Sequence, residues 1–556
     1  MKKIIVFAML MALGIPLYPQ TATFKYFQYQ GNDTRFDKPI DLHRQYYNPI
    51  LAGFYPDPSL CRKGDTYYLV NSSFSFFPGV PVSVSKDLIH WQHLSYALNS
   101  KEQLPLTHQR VSGGIFAPAI TYNEKNKTFY LITTNVGKGN FFIKSKDPSK
   151  GWSNPVYLPK INGIDPSFLF DKDGKAYIVH NAPVYGKQDY EGQRAIRILR
   201  FDVKGDSIIG EPKEIIRGGS HVQKNPIWIE GPHLYHIGNY YYLMCAEGGT
   251  CDWHSEVIFR AKNPMGPWEE NPQNPILTQR TGLNPDRPDI VTSTGHADLV
   301  QSKQGDWWAV FLGCRPYQDD FYNTGRDTYL LPVTWKNGWP TILEKGKAVP
   351  TVLNMTSWQQ KLSAQGQDQA PMTGNFSYHD DFKEEQLNSR WIFLRNPENF
   401  WKLTSNGLEI SPLNTNIHGN EAPSAIFVRQ QHNNFTAETE INFTPENNQN
   451  FAGFTLLQNE EYNFIFGKTL REGKPIVTLQ RDEKINVTIA SAPLQNNTDD
   501  LHLKIKGDGR YYDFYYAEGN GKWQILAKGV DAVNLSTHQS GGFIGDCIGL
   551  YSTTRL

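Results

Sequence analysis

The sequence predicts an all-β protein with two domains, a five-bladed β-propeller followed by a concanavalin-like β-sandwich. Three observations support this fold class. A hairpin pattern occurs five times, a tryptophan-containing segment follows it in three copies, and from residue 376 the chain changes to alternating strands separated by polar turns. A length of 556 residues also fits more than one domain.

The repeated hairpin is clearest in its first copy, residues 53–70. Asp57 lies in a turn framed by Pro56 and Pro58, and a Lys-Gly-Asp turn then leads into a strand of aromatic and β-branched residues. The same order returns four more times. The second strands of the five copies align, at spacings of 47 to 66 residues, on Tyr68, Tyr130, Tyr177, Tyr242 and Trp308.

A further segment is typical of the unit. It follows a strand-like run in three copies, at residues 85–91, 145–152 and 261–268, and ends on tryptophan each time. One unit therefore holds about four strands, which is the content of a propeller blade. We predict that residues 45–345 form a propeller of five such blades.

The shared phase of the repeats predicts a functional site. Eleven or twelve residues before the aligned aromatics lie Asp57, Pro118, Asp165, Glu230 and His296. Because the first strands of propeller blades line the central channel, we expect these side chains to meet at one mouth of it. An Asp-Pro or Glu-Gly-Pro segment taken alone could be an ordinary turn, but the common phase of three carboxylates favours a site.

The amino terminus resembles a secretory signal. Two lysines precede an apolar run at residues 4–15, which is too short to span a membrane as a mature helix. We therefore assign residues 1–20 to a signal peptide and expect an exported protein, periplasmic or secreted, without a membrane anchor. Residues 21–44 are expected to be a lead-in to the propeller.

The second domain follows a linker. Residues 346–375 contain a stretch rich in Gln, Ser, Ala and Gly with little that could form a core. Residues 376–556 then hold short alternating strands, such as 435–441 and 501–506, at a spacing that indicates a β-sandwich.

Charge and cysteine content exclude some function classes. The 55 basic and 55 acidic residues balance, which gives no indication of a nucleic-acid or anionic-membrane partner. The five cysteines lack the spacing of a zinc site or a disulfide framework, and buried free thiols are the favoured interpretation. A bridge between Cys245 and Cys251 stays open.

Three carboxylates at one channel mouth favour glycoside hydrolysis. The sequence around them shows no metal-ligand cluster and no activated Ser or Cys motif. Glycoside hydrolysis needs one protonated and one ionised carboxyl beside the bond, and a third carboxylate can tune the other two by like-charge repulsion.

Several motifs carry a resemblance to a known family. They are Asn48-Pro49-Ile50-Leu51, Gly53–Ser59, Phe77–Val80, Gly163–Ser167, Glu230–His233, Ala246–Thr250 and Gly295–Asp298. Over nearly the whole mature chain the sequence resembles glycoside hydrolase family 43, the group of β-xylosidases and α-L-arabinofuranosidases with a C-terminal sandwich. The resemblance implies that Asp57 is the general base, Glu230 the general acid and Asp165 the residue that sets pKa and orientation.

The resemblance also implies substrate-binding residues. Phe74 would wall the first sugar subsite, with core packing as the alternative, and Phe116 stands where many relatives carry Trp. Arg315 would reach substrate hydroxyls or, alternatively, neutralise the carboxylates. His296 would line the channel, beside a bound calcium in some members, although a structural hydrogen-bonding role is the alternative. No cofactor is required by this interpretation, and calcium stays open.

The predicted function is an exo-acting, inverting hydrolase that releases terminal xylose or arabinose from xylan- or arabinoxylan-derived oligosaccharides. Activity restricted to α-L-arabinofuranosides is one alternative, and a non-catalytic sugar-binding propeller is another. A retaining hydrolase of fructosides on a related propeller would be expected to carry Asn-Asp-Pro near its first acidic residue, whereas this chain has Tyr55-Pro56-Asp57.

Overall fold

The computed structural model describes residues 21–251, 253–363, 372–495 and 499–556. Within these ranges the chain is nearly all β, as expected, and the two α-helices are short, Ser357–Ser363 and Thr537–Ser540. Three 3₁₀ turns lie at Thr34–Phe36, Pro148–Lys150 and Val533–Leu535. The predicted signal peptide, residues 1–20, lies outside the described residues.

Five antiparallel sheets follow each other between residues 59 and 341, and each is built from strands that lie close together in the chain. The first contains Ser59–Lys63, Thr66–Val70, Gly79–Ser85 and Gln92–Leu98, and the second Ile115–Asn123, Thr128–Asn135, Gly139–Ser145 and Val156–Tyr157. The third contains Ile164–Phe170, Ala176–Pro183, Arg194–Asp202 and Ser207–Arg217. The fourth contains Glu230–Ile237, Tyr240–Glu247, Ser255–Ala261, Glu269–Glu270 and Leu277–Thr278, and the fifth Thr292–Gln301, Trp307–Cys314, Arg326–Lys336 and Trp339–Thr341.

The first strands of these sheets form a closed ring. Each contacts the first strand of the next sheet, and that of the fifth contacts that of the first. Asp298, in the first strand of the fifth sheet, links this sheet to the first one. Its Oδ2 accepts hydrogen bonds from the Ser59 hydroxyl at 2.7 Å and the Leu60 N–H at 3.0 Å. The entries to the five first strands are thereby brought around one axis.

Two further sheets form the sandwich. One has the strand order Trp401–Thr404, Gly407–Ile410, Ala22–Gly31, Asn434–Asn442, Asp500–Asp508, Tyr511–Glu518 and Gln524–Asp531, with Ser377–Asp380 also paired to Ala22–Gly31. The other has the order Ala425–Arg429, Cys547–Thr553, Phe451–Asn459, Tyr462–Arg471, Lys474–Glu483 and Asn486–Pro493. Alternate apolar residues of both sheets fill one core between them.

The expected lead-in is in fact a strand of the sandwich. Ala22–Gly31 lies inside the eight-stranded sheet and pairs along its length with Asn434–Asn442. Its side chains Phe24, Phe27 and Tyr29 are fully buried in the sandwich core. The strand was missed because its partners lie hundreds of residues away, although its alternation of apolar and polar residues is visible in the sequence.

The expected linker is partly structured. Val352–Asn354 pairs with Gln45–Tyr47, and the helix Ser357–Ser363 follows directly. Residues 346–363 therefore pack on the side of the five sheets, while residues 364–371 lie outside the described residues.

The two domains share an apolar core. Phe54, Phe74 and Phe76 from the first part of the chain pack in one cluster with sandwich residues such as Phe427 and Ile544. The short strands Phe76–Phe77 and Phe393–Leu394 also pair across this boundary. The sandwich is thus fixed against the ring of sheets on the side of residues 54–76.

Cysteine and membrane features complete the description. Cys61, Cys245, Cys314 and Cys547 are buried free thiols, so Cys245 does not bridge to Cys251, whose side chain is exposed rather than buried. Among the described residues, no helix has the length and apolar character needed to cross a membrane.

Candidate active site

A cavity of about 410 Å³ lies where the first strands of the ring begin. The structure brings Asp57, Asp165, Glu230 and His296 together in its wall, as their shared phase in the repeats predicts. The fifth position of that phase, Pro118, lies in a narrow space beneath the cavity that also touches Asp57 and His296.

The local backbone explains why these side chains face the cavity. Register shifts interrupt the pairing of the first strands next to Asp165, Glu230 and His296. Asp57, Asp165 and His296 have φ angles of 50°, 55° and 52°, in the left-handed region that non-glycine residues seldom adopt. Such bulges re-aim side chains, and strain of this kind is common at functional sites.

Gly231 allows the acidic residue before it to approach the histidine. Its φ is +54°, and a Cβ at this position would lie 2.8 Å from the His296 ring. Gly231 also donates its backbone N–H to Asp165 Oδ2 at 3.1 Å. Glycine is therefore required here both by conformation and by the close approach of His296.

Asp57 is held as a carboxylate. Arg326 Nη1 donates to its Oδ1 at 2.7 Å and the Ser72 hydroxyl donates to its Oδ2 at 2.6 Å. Burial alone would raise the pKa of Asp57, but the charge of Arg326, His296 beside it and the Ser72 hydrogen bond bring the pKa below its ordinary value. Asp57 is accordingly ionised at neutral pH.

Glu230 is in the opposite state. Burial raises the pKa of Glu230 well above its ordinary value, and the negative charges of Asp165 and Asp57 raise it further. Arg326 and Arg194 oppose this rise without cancelling it. The raised pKa favours the protonated form of Glu230, which is the form that a general acid needs.

Asp165 lies between these two states. Burial and the charge of Asp57 raise the pKa of Asp165 to about 7, against the lowering effect of the Gly231 N–H and of Arg326 and Arg194. Its charge acts in turn on Glu230. The cavity thus holds one carboxyl with a lowered pKa, one with a strongly raised pKa and a third with a pKa near neutrality.

Arg315 does not lie in this cavity. Its guanidinium is fully buried at the domain boundary, where it pairs with Asp327 at 2.9 Å and Asp33 at 2.8 Å and donates to the Gln431 carbonyl. The expectation that it reaches substrate or the carboxylate cluster is wrong. Arg315 follows the strand that ends at Cys314 and turns away from the ring.

Arg326 takes the position expected for Arg315. It begins the third strand of the fifth sheet, directly opposite Cys314 in the register. Its Nη2 donates to the Phe543 carbonyl at 3.1 Å while Nη1 holds Asp57. The sequence offered a signal for it, an arginine at the start of the strand-like run 326–333.

Aromatic side chains wall the cavity. Phe74 and Phe116 meet edge to face at 5.1 Å between ring centroids, so both expected wall residues are in place. Phe74 is also 1% exposed and belongs to the shared core, so wall and core packing hold together. Phe543 of the sandwich stacks on Phe74 at 6.0 Å, and Trp228 forms a further part of the wall.

His296 does not form part of a protein metal cage. Its ring nitrogen lies 3.8 Å from Asp57 Oδ1, and burial lowers the pKa of His296 to about 4, so the ring is neutral. Calcium takes six to eight oxygen ligands. The described residues contain no group of three or more His, Cys, Asp or Glu side chains that could hold a metal, so a calcium ion beside His296 would need backbone carbonyls or waters among its ligands.

Comparison with protein families agrees with this site. The model of glycosyl hydrolases family 43 matches residues 46–340, which hold all three carboxylates and Arg326. The chain belongs to glycoside hydrolase family 43. A second model, the beta xylosidase C-terminal concanavalin A-like domain, matches residues 379–555. As a member of this family, the protein is a glycosidase.

Two relatives and one solved structure align with nearly the whole of this chain. A xylosidase/arabinosidase of Butyrivibrio fibrisolvens is 36% identical, covering 91% of this chain and 96% of its own. A non-reducing end alpha-L-arabinofuranosidase of Bacteroides ovatus is also 36% identical, covering 92% of each chain. The crystal structure of a family 43 protein from a capybara gut metagenome is 40% identical, covers 96% of this chain and 100% of its own, and superposes with a TM-score of 0.88.

Proposed function

We propose that this family 43 glycosidase releases single xylose or arabinose residues from the non-reducing ends of xylan- or arabinoxylan-derived oligosaccharides, with inversion at the anomeric carbon. The observation that carries the proposal is the placement of Asp57 and Glu230 in one cavity whose surroundings shift their pKa values in opposite directions. The names of the relatives, xylosidase/arabinosidase and non-reducing end arabinofuranosidase, support the choice of pentoses and of chain ends.

Each carboxyl has one role in this proposal. Glu230 donates its proton to the departing glycosidic oxygen, and Asp57 takes a proton from the water that attacks the other face of the sugar. Asp165 is a positioning residue, since its charge raises the pKa of Glu230 and its Oδ2 accepts the N–H of the adjacent Gly231. These protein groups supply the acid and the base, and no cofactor enters a step.

Exo action follows from the shape of the site. The sandwich places Phe543 in the cavity wall, where its ring packs against Phe74 and Phe116. A pocket walled in this way accepts a chain end more readily than the middle of a chain. Activity on arabinofuranosides alone is a second candidate, favoured by the Bacteroides ovatus relative.

We infer that the five sheets are the blades of a five-bladed propeller, and their closed ring of first strands supports this inference.

We also propose that the protein is exported to the periplasm or the medium, because residues 1–20 resemble a signal peptide. Size measurement of the mature protein in cell fractions tests export, and an intact leader in the cytoplasm would contradict it.

Two variants and a panel of substrates test the roles. Aryl xylosides and arabinosides with good leaving groups need no proton from Glu230, so Glu230→Ala should lose far more activity on natural oligosaccharides than on these aryl glycosides. Asp57→Ala should lose about 10²- to 10⁴-fold on both, because no leaving group replaces the attacking water's base. Rescue of Asp57→Ala by a better leaving group would overturn the assignment.

The same panel distinguishes the alternatives. Hydrolysis of both xylosides and arabinosides supports the dual activity, and hydrolysis of arabinosides alone supports the second candidate. Binding without hydrolysis of any glycoside would show a non-catalytic propeller. Product analysis on xylo-oligosaccharides completes the test, because an exo enzyme releases one monosaccharide for every chain that it shortens, and early release of disaccharide or longer fragments without monosaccharide would exclude it.

A further inference from the structure

A second cleft, of about 600 Å³, lies between the sandwich and the ring of sheets. Its wall is formed by residues 33–35, 287–290 and 316–319 on one side and by 433–434 and 508–511 on the other. None of these residues lines the catalytic cavity or the smaller pocket beside it. The cleft is therefore a separate concave site to which the catalytic proposal assigns no role.

Charged side chains of both signs face each other in this cleft. Arg35 and Arg287 donate only to backbone carbonyls, Arg35 to that of Ile290 and Arg287 to those of residues 284 and 291. Asp319 and Asp508 lie in the same wall. In the part of the chain that the structure describes, none of these four side chains belongs to an ion pair.

Two buried polar atoms in the cleft wall have no hydrogen-bond partner within the described residues. They are Nε of Arg287, a donor, and Oδ1 of Asn433, an acceptor whose amide nitrogen donates to the Arg315 carbonyl at 3.1 Å. Buried polar atoms are seldom left unpaired. The wall of the cleft thus contains one donor and one acceptor whose hydrogen bonds the described residues do not supply.

Two tyrosines, Tyr317 and Tyr511, add aromatic surface to the wall of the cleft. The Tyr511 side chain is 52% exposed, although its neighbour Tyr512 is buried in the sandwich core. Tyr317 packs so closely on Gly509 that a Cβ there would lie 3.1 Å from the tyrosine. The lack of a side chain at Gly509 keeps this part of the cleft open between the two tyrosines.

The base of the cleft is rigid. Asp33, which lies in its wall, is buried and bound by Arg315 at 2.8 Å, and it also accepts the Asn434 N–H at 2.7 Å. These contacts join the loop before residue 34, the fifth sheet and the sandwich at one point. The polar groups above them are therefore held in fixed positions, which lowers the entropic cost of binding a ligand.

This combination points to a neutral glycan. A sugar hydroxyl both donates and accepts, so it pairs with an arginine and a carboxylate at once, while the C–H face of the ring packs on tyrosine. An anionic ligand would meet the unpaired Asp319 and Asp508, and a cation would meet Arg35 and Arg287. The cleft as a whole therefore favours neither an anionic nor a cationic ligand.

We propose that this cleft is a non-catalytic binding site for the neutral glycan chain whose ends the catalytic cavity trims, an inference that rests on the proposed function for the identity of that chain. One loop connects the two sites. Residues 316–319 line the cleft, and the same loop ends at Arg326, which holds Asp57. A chain held in the cleft is thereby kept beside the catalytic domain between successive cleavages.

Binding to the cleft is tested in protein that cannot hydrolyse its ligand. In an Asp57→Asn background, affinity electrophoresis through soluble arabinoxylan should show retardation. Adding Tyr511→Ala or Arg287→Ala should weaken it by at least about fivefold, since aromatic and charged contacts of this kind dominate binding sites. Tyr157→Ala, which removes a tyrosine of similar exposure from the second sheet, is the matched control and should bind as the parent does.

Kinetics separate this proposal from the catalytic one. With Asp57 intact, Tyr511→Ala should raise the KM for arabinoxylan while leaving kcat and KM for small aryl pentosides unchanged. Loss of all hydrolysis in the wild-type protein would refute the catalytic proposal and leave the electrophoresis as an independent test of the cleft. Unchanged retardation of both variants, or stronger retardation by polygalacturonate than by arabinoxylan, would overturn the neutral-glycan site.

Discussion

Asp57 and Glu230 show how one cavity gives two carboxyl groups opposite protonation states. Both are buried, and burial raises the pKa of either. The difference is made by their partners: Asp57 receives Arg326 and a serine hydroxyl, whereas Glu230 faces the charges of two carboxylates. Arg326 is therefore the main cause of the low pKa of Asp57, while the neighbouring carboxylates keep the pKa of Glu230 high.

Replacing Arg326 should move the whole pH–rate profile upward. Arg326 lowers the pKa of both Asp57 and Glu230. In Arg326→Gln both pKa values rise, so the acidic limb, set by the ionised base, and the alkaline limb, set by the protonated acid, move to higher pH. We expect kcat/KM at the optimum to fall at least about tenfold.

Profiles of kcat/KM against pH for wild type, Arg326→Gln and Arg326→Lys check this expectation. Lysine keeps the charge and should restore part of the acidic limb. Arg260→Gln, at an exposed ion pair of the fourth sheet, serves as control. If kcat/KM falls but both limbs of the pH profile stay at their wild-type pH, Arg326 shapes the pocket and does not set the two pKa values.

Asp546 makes a second prediction at this scale. It is completely buried, and burial raises its pKa well above the ordinary value, although the backbone N–H of Cys547 opposes this rise. The native state therefore keeps Asp546 protonated where the unfolded chain ionises. Its contribution to stability is complete below about pH 4, the unfolded pKa, and falls as the pH rises toward the folded pKa.

Asp546→Asn removes this titration. Compared with wild type, the variant should gain stability as the pH rises from 4 to 7, by about 1–3 kcal/mol. Thermal unfolding at the two pH values measures the difference, with the exposed Asp286→Asn as control. An equal change in melting temperature at pH 4 and pH 7 would be inconsistent with a buried neutral carboxyl.

The meeting of site residues could be predicted from the sequence where the repeat shows that they occupy equivalent positions. Asp57, Asp165, Glu230 and His296 share a phase, and a shared phase places side chains around one axis. Arg315 and Arg326 lie outside that phase, on either side of a loop whose path the sequence does not define. The choice between them depended on strand register, which is why Arg315 was wrongly assigned.

At the scale of elements, the segment 542–545 connects the sandwich to catalysis. Gly545 fits against the backbone of Thr324, where a Cβ would lie 2.3 Å from its carbonyl oxygen, and the Phe543 N–H donates to the Ser112 hydroxyl at 2.9 Å. The segment is thus fixed to the fifth sheet at one end and near the second at the other. Phe543 is carried into the cavity wall as a result.

Phe543→Ala should open the cavity without unfolding the protein. The ring is 40% exposed, so its loss costs little core, but it removes the contacts with Phe74 and Phe116. We expect KM for aryl pentosides to rise about three- to tenfold with a smaller change in kcat. Trp523→Ala, at a sandwich tryptophan of 39% exposure, should leave both constants unchanged; an unaltered KM in Phe543→Ala would exclude its role as a wall.

Elements were predictable where their contacts are local. The hairpins of the five sheets pair neighbouring strands, so turn residues and strand patterns identified them. Ala22–Gly31 and Val352–Asn354 pair with strands hundreds of residues away, and nothing local marks such a partner. The aromatic at position 543 was missed for the same reason, since it reaches the cavity only through tertiary packing.

At the scale of the whole molecule, the two domains behave as one unit. Their shared cluster includes Phe54, Phe76 and Phe427, and buried ion pairs of Arg315 lie at the same boundary. Separating the domains would expose this apolar surface to water. We expect a single cooperative transition in calorimetry of residues 21–556, and two well-separated transitions would show that the domains are independent.

Opposed pKa shifts of Asp57 and Glu230 suit an inverting and a retaining glycosidase alike, and the proposed role of Asp57 as general base has a direct stereochemical consequence. If Asp57 activates a water on the face opposite the leaving group, the two carboxyl groups are separated by roughly 6.5–9.5 Å and the sugar leaves with inverted configuration. Attack by Asp57 on the sugar itself would instead need a separation of about 5–5.5 Å and give retention.

Proton NMR of the first product formed is the most direct test. With an aryl β-xyloside or α-L-arabinofuranoside, whichever the enzyme cleaves, the anomeric signal of the inverted sugar should appear first and then decay by mutarotation. Initial appearance of the anomer that has the configuration of the substrate would contradict Asp57 as general base.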